Sequence, residues 1–378
     1  MKAHITIVLL LLAATPVWAA KKATVQQFKD LLISLNRAGK SDVDVAEEIK
    51  QIELTEELTA EAMSSVENYL PGPLSTAQAK ALETSSAILT PPASDLPSTP
   101  PPDAATQKAI LDKSTDYATR VYAQLPHVTG EKSVERFQDN MESGVVNSGP
   151  NAFLVSALPG QNNTHGPFHL IETDEKNFES MGGAEIPSKV KDKTEWGANG
   201  QVALLGQGPV LTTVLQEAQA SGNFNWLRWE TIRGKQIAVF SFGVDKKKTH
   251  YIINDCCFLD VDVNGDQYHT QILTDMDSYA NWKGYKAIVP YHGELFVDPE
   301  TGVVVRLVTQ ADLKGSRVHQ EDTRIDYGQM TAAGKPLILP VESYINTEVV
   351  MSNAPGAGKY IVHRVMFATD YRSYQAAR

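Results

Sequence analysis

The sequence predicts an α+β protein: short N-terminal helices, then a curved antiparallel β-sheet that forms a half-open barrel with one or two covering helices. Two observations support this fold class. Apolar residues recur at helical spacing before residue 91, and from about residue 133 the period changes to two, with short turns between the strands. Successive strands joined by short turns favour an antiparallel sheet over a doubly wound one.

The chain begins with a segment typical of an export signal. Lys2 supplies a basic start, an apolar run covers residues 5–12, and Val17-Trp18-Ala19 has the small-x-small pattern of a cleavage site. The run is shorter than the ~20 apolar residues that span a bilayer. We therefore expect cleavage after Ala19 or Ala20 and a periplasmic or secreted protein with no transmembrane segment in the mature chain.

Composition shifts divide the rest of the chain. Thr24 and Ser41 are placed as helix N-caps in the first part, and six prolines within residues 91–102 predict an extended connector. Asp103 is placed to cap a further helix. The predicted organisation is a signal peptide (1–19), an acidic helical region (20–90), a Pro-rich linker (91–103), and a helix followed by a β-rich domain (104–378).

The charge of the chain disfavours nucleic acid as a partner, and its acidic residues are concentrated in residues 41–70. Lys plus Arg number 34 against 45 Asp plus Glu, a net charge of -11, so nucleic acid is a poor expectation. Residues 41–70 hold nine acids and one base, Lys50. The acids are Asp42, Asp44, Glu47, Glu48, Glu53, Glu56, Glu57, Glu61 and Glu67. They form either a solvated helix face or a docking surface for a basic partner.

The β-rich part contains clear strand and turn signals. Phe224, Trp226 and Arg228 alternate with Leu227 and Trp229, and a helix is expected at 209–220. The strongest hairpin signal is Asp298-Pro299-Glu300-Thr301-Gly302 between two apolar runs. Six aromatic residues on these strands are candidates for ligand binding, as the lining of an apolar pocket, and core packing is the alternative: Trp226, Trp229, Phe240, Phe242, Tyr291 and Phe296.

One acidic segment resembles the start of a calcium loop. Asp260 to Asp266 alternates carboxylates, but Gln271 stands where such a loop needs a bidentate Glu. As a hairpin turning at Asn264-Gly265, the segment would bring Asp260, Asp262 and His269 to one face. The alternatives are a hairpin with a solvated face, a site for Ca²⁺ or another divalent cation, and a hydrolase built on these three residues. No other cofactor and no catalytic residue is predicted.

The only two cysteines are neighbours, Cys256 and Cys257. In an oxidising compartment they form either a strained vicinal disulfide or two free thiols on a strand, and both readings remain open. The usual C-x-x-C spacing of redox sites is absent.

Two stretches resemble known families. Ala109-Ile110-Leu111 to Leu125-Pro126, with Trp226-x-x-Trp229 and Ala238-Val239-Phe240, resemble an uncharacterised family of secreted bacterial proteins. The hairpin from Tyr291 to Gly302, followed by Arg306-Leu307, Tyr327-Gly328 and Leu339-Pro340, resembles the outer-membrane lipoprotein-sorting (LolA/RseB-like) half-barrel fold. The resemblance implies a periplasmic binder of acyl chains or lipoproteins.

These observations lead to two expectations about function. The first is an exported, non-enzymatic binding protein that holds an apolar ligand (an acyl chain or lipoprotein) or a partner segment in its curved sheet. The alternative is an envelope interaction or scaffold protein that acts through its acidic helices, with another envelope protein as partner.

Overall fold

The computed structural model describes residues 21–121, 124–138, 167–186, 203–204, 210–259, 282–313, 318–332, 334–353 and 360–377. The signal-peptide prediction and the Asp260, Asp262 and His269 site lie outside these residues. The helices are α1 (Val25–Arg37), α2 (Asp42–Ile49), α3 (Ala60–Val66), α4 (Pro73–Ser86), α5 (Ala104–Arg120) and α6 (Leu211–Ser221).

The strands of the described residues form three sheets. The strands are β1 (Lys21–Ala23), β2 (Ile52–Leu54), β3 (Val128–Gln138), β4 (His169–Met181), β5 (Ala184–Glu185), β6 (Ala203–Leu204), β7 (Asn225–Ile232), β8 (Lys235–Val244), β9 (Ile252–Leu259), β10 (Trp282–Ile288), β11 (Tyr291–Val297), β12 (Val304–Ala311), β13 (Val318–Ala332), β14 (Lys335–Asn353) and β15 (Tyr360–Ala376). The short strands β1 and β2 pair in parallel, and β10, β9 and β6 form a second sheet. The largest sheet has ten strands, in the order β5-β4-β3-β15-β14-β13-β12-β11-β8-β7.

The α+β prediction with a large curved antiparallel sheet is confirmed. Every neighbouring pair in the ten-stranded sheet is antiparallel, and the sheet is open, with β7 at one edge and the β4–β5 pair at the other. We call inner the face that carries Phe240, Leu295 and Leu307, and outer the face that carries Phe296 and Arg324. Helices α5 and α6 pack on the inner face, where Ile110, Ala118 and Val214 join the main hydrophobic core.

The N-terminal helices follow the capping signals in the sequence. Thr24 and Ser41 accept hydrogen bonds from the backbone N–H three residues on, and each forms a capping box. Helix α4 begins at Pro73, since proline suits the first helical position, where its missing N–H costs nothing. These helices enclose a separate apolar core that includes Phe28, Leu32, Ile49 and Leu58.

The predicted hairpin at Asp298-Gly302 is present between β11 and β12. The Asp298 carboxylate accepts from the backbone N–H groups of Glu300 and Thr301, and Gly302 has a φ of 76°. A positive φ favours glycine, and the backbone of Lys113 in α5 lies close enough that a side chain at Gly302 would collide with it. The turn therefore also positions α5.

The prediction that side chains alternate strictly along β7 is wrong. The pairing with β8 shifts between Trp226 and Arg228, which is a β-bulge. The extra residue brings Trp226 and Trp229 together, with ring centroids 4.8 Å apart, and leaves Arg228 facing outward near Glu294. A one-residue bulge cannot be recognised from an alternating residue pattern, and strict alternation therefore predicts the two tryptophans on opposite faces.

The Pro-rich linker joins a segment on the outer face of the sheet to a helix on the inner face, and it contacts the β7–β8 hairpin on the way. Before it, the carbonyl of Ala87 accepts a hydrogen bond from Arg324 on the outer face. After it, α5 packs on the inner face. Between these points Pro100 and Thr99 bond to side chains of β7 and β8.

Candidate functional site

Five of the six predicted aromatic residues share the inner face. Phe240, Phe242 and Tyr291 are buried, with exposed fractions of 4% or less, and Trp226 and Trp229 are half-buried. Their rings are linked edge to face: Trp226 to Phe240 at 5.4 Å and Phe242 to Tyr291 at 6.1 Å. Helix α6 covers this aromatic zone, so only the part next to β7 retains exposed surface.

Phe296, the sixth residue, lies on the outer face. It packs with Ile237 and Val239, and the guanidinium groups of Arg228 and Arg306 lie 5.9 Å and 5.4 Å from its ring centroid. Phe296 is therefore separated from the other five by the thickness of the sheet.

A row of threonines continues the inner face beyond the aromatic zone. Phe242, Gly293, Thr309 and Thr323 occupy successive cross-strand positions on β8, β11, β12 and β13. Thr347 on β14 pairs with Glu321, two residues before Thr323 and on the same face. Thr309, Thr323 and Thr347 are at most 1% exposed, and their hydroxyls have no hydrogen-bond partner among the described residues. We call these three residues the threonine row.

Two buried carboxylates also face this side of the sheet, Glu217 beside the aromatic zone and Glu321 beside the threonine row. Glu217 of α6 accepts hydrogen bonds from the Tyr291 hydroxyl and the His250 backbone N–H, both at 2.7 Å. The Tyr251 hydroxyl donates to Glu321 at 2.5 Å, and the rings of Tyr251 and Tyr291 are 5.4 Å apart. Burial, followed by the hydrogen bond to the Glu217 carboxylate, raises the pKa of Tyr291. Tyr291 therefore remains a neutral hydrogen-bond donor.

Sequence reasoning missed the threonine row and both carboxylates. A signal was present for the row, since Thr309 stands two residues after the inward-facing Leu307 in an alternating strand. For Glu217 the only signal is an acid on the apolar side of a helix. Its partners are 33 and 74 residues away, so their contact depends on the tertiary fold.

The acidic helical region binds the outer face of the sheet through its own acids. Glu57 lies 2.6 Å from Arg324 and 3.6 Å from Arg306, and Glu53 makes two hydrogen bonds to Arg364. Four further acids of residues 41–70 contact backbone N–H groups or Lys50 within the region: Asp42, Asp44, Glu47 and Glu56. Six of the nine acids thus have partners within the chain, which leaves fewer for a basic partner.

The remaining predicted sites are only partly described. Cys256 and Cys257 lie on β9 and Cys256 pairs with Ala203 of β6, but the side chains of both cysteines are outside the description, so the vicinal disulfide stays a prediction. Within the described ranges, no cluster of three or more His, Cys, Asp or Glu side chains could hold a metal ion. No helix in those ranges is long and apolar enough to cross a membrane.

No family model matches the chain, and neither a curated protein nor a solved structure matches it.

Proposed function

We propose that the protein is an exported, non-enzymatic binding protein that holds an amphiphilic ligand, an acyl chain with its polar group, against the inner face of its sheet. The observation that carries the proposal is the threonine row. Three buried hydroxyls lack partners among the described residues, and a buried hydroxyl without a hydrogen bond costs about 1–3 kcal/mol. A ligand carbonyl, ester or amide would satisfy them.

The neighbours of the row suit the rest of such a ligand. Phe242 lies two strands from Thr309 in the same cross-strand row, and the intervening position is Gly293, which has no side chain. Apolar and polar surface therefore adjoin on one face. Each acyl CH₂ buried there contributes about 0.8 kcal/mol, from which the cost of immobilising the ligand must be subtracted.

Threonine is suited to a neutral polar group. Its hydroxyl both donates and accepts, so each can pair with a carbonyl or ester oxygen of a ligand without the desolvation cost of a buried charge. The threonine row therefore favours a neutral acyl derivative, such as the acyl-modified end of a lipoprotein.

A titration with a fluorescent fatty-acyl probe tests the proposal. We expect a saturable fluorescence change with the natural chain, and binding about fivefold weaker in Thr323→Val, because this variant removes one hydrogen bond and preserves shape. Thr331→Val is the matched control, since Thr331 lies on the same strand but is exposed. The proposal fails if the natural chain shows no saturable binding, or if all three proteins bind equally.

A further inference from the structure

The Pro-rich linker makes specific contacts with the edge of the sheet. The indole N–H of Trp229 donates to the carbonyl of Pro100 at 3.0 Å, and the Gln236 side-chain amide donates to the Thr99 hydroxyl at 2.8 Å. Both donors belong to the β7–β8 hairpin. We call residues 96–103 the strap.

The strap has the properties of a polyproline II segment. Leu96 at its start has φ −78° and ψ 136°, and Asp103 at its end has φ −66° and ψ 163°, close to the ~−75° and ~145° of that conformation. Pro100, Pro101 and Pro102 hold φ near −65°, and each proline also restricts the residue before it to extended conformations. The segment therefore loses little conformational entropy when it is bound.

The surface under the strap has the chemistry that recognises such segments. Domains that bind proline-rich peptides use aromatic side chains for the apolar face of the peptide and polar donors for its exposed carbonyls. Here Trp226 and Trp229 form a half-buried edge-to-face pair, and the indole N–H of Trp229 donates to the Pro100 carbonyl. Gln236 adds a hydrogen bond to the Thr99 hydroxyl.

We propose that Trp226, Trp229 and Gln236 form a recognition surface for proline-rich extended segments, and that the strap is its occupant within the same chain. The strap is held at an effective concentration of about 1 mM, as for short tethers, so an external proline-rich segment binds only when it displaces the strap. This assignment is independent of acyl binding at the threonine row, because it uses different side chains.

The test separates the surface from its tethered occupant. In the full chain, residues 96–102 are replaced by a Gly/Ser segment of equal length, and a labelled peptide of residues 94–105 is titrated while its fluorescence anisotropy is measured. We expect saturable binding to this variant and at least about tenfold weaker binding to the natural chain, where the strap competes. Adding Trp229→Phe to the variant removes the indole donor, keeps a smaller aromatic ring, and should weaken binding at least about fivefold. A peptide with alanine at its four proline positions should not bind.

The proposal is overturned if the strap-replaced protein shows no saturable binding, or if the alanine peptide binds as well as the natural one. A second measurement tests the proposal if the strap-replaced protein does not fold. In an otherwise natural protein, Trp229→Phe should accelerate cleavage by endoproteinase Asp-N before Asp95, next to the strap. Tyr374→Phe, which removes a donor to the Pro340 carbonyl on β14, should not. An unchanged cleavage rate in Trp229→Phe would also overturn it.

Discussion

The carboxylate of Glu57, in the acidic helical region, lies 2.6 Å from the guanidinium of Arg324 in the middle of the ten-stranded sheet. Both residues are buried, and Arg324 also donates to Asp326 and to the carbonyl of Ala87. The pair joins residues 267 positions apart in the sequence. It is the central contact through which the helical region docks on the outer face.

Removing the charge of Glu57 should loosen this docking. We expect Glu57→Gln to lower the free energy of unfolding by about 3 kcal/mol, because Arg324 and Arg306 lose a buried countercharge. Urea unfolding measures the loss. Glu47→Gln is the control: the Glu47–Lys50 pair is exposed and should change stability by less than about 0.5 kcal/mol. Equal effects in the two variants would contradict the structural role of Glu57.

Asp322 and Asp326 lie on the same strand and face but should respond to pH in opposite ways. Burial raises the pKa of Asp322 to about 6, although a hydrogen bond from Gln320 opposes the shift. Burial alone would also raise the pKa of Asp326, but the charges of Arg324 and Arg306 outweigh it and lower the pKa to about 2.

The sign of each effect follows from which state binds the proton more tightly. The folded state protonates Asp322 more readily than the unfolded state does, so this residue lowers stability as pH rises from about 4 to about 6. Asp322→Asn should therefore stabilise the protein by about 2–3 kcal/mol at pH 7 and by little below pH 4. The contribution of Asp326 is complete above pH ~4 and is lost as pH falls towards 2. Denaturant unfolding of the natural chain, Asp322→Asn and Asp326→Asn at pH 2.5, 4 and 7 checks both signs, and a destabilised Asp322→Asn at pH 7 would refute the assignment.

Gly293 should be intolerant of a side chain. A Cβ there would lie 2.0 Å from the carbonyl oxygen of Val308 and 3.0 Å from the ring of Phe242. We expect Gly293→Ala to cost about 2 kcal/mol or more through strain in the packed core. Gly243 pairs across from His292 on the neighbouring strand, and the nearest atom of the described residues to its added Cβ is 4.0 Å away. Thermal unfolding of Gly293→Ala and Gly243→Ala should differ clearly, and similar midpoints would count against the packing described for Phe242.

The sequence predicts the parts of this fold that depend on local chemistry. The caps at Thr24 and Ser41 and the turn at Asp298-Gly302 each require particular residues at fixed spacings, so they can be predicted from the sequence alone. The bulge beside Trp226 and the Glu57–Arg324 pair are not, since the first inserts one residue without a marker and the second joins distant segments. The same distinction applies to the site: aromatic residues on strands are visible in the sequence, but their packing under α6 and the isolation of the threonine row depend on strand register.

Thr323→Val should have opposite effects on stability and on ligand binding. In ligand-free protein the buried hydroxyl has no partner among the described residues, so replacement by an apolar isostere should raise the free energy of unfolding by about 1 kcal/mol. The same change should weaken acyl binding. A variant that is less stable without ligand would show that the hydroxyl is already satisfied in the folded chain.

The central claim is that the inner face holds an acyl ligand beside the threonine row. Native mass spectrometry of the protein purified from a membrane-containing host tests it most directly, with the triple variant Thr309→Val, Thr323→Val and Thr347→Val prepared in parallel. The account predicts a species heavier than the polypeptide by one acyl lipid in the natural chain, and its depletion in the triple variant. If the natural chain carries only its polypeptide mass and remains so after incubation with lipid vesicles, the claim is contradicted.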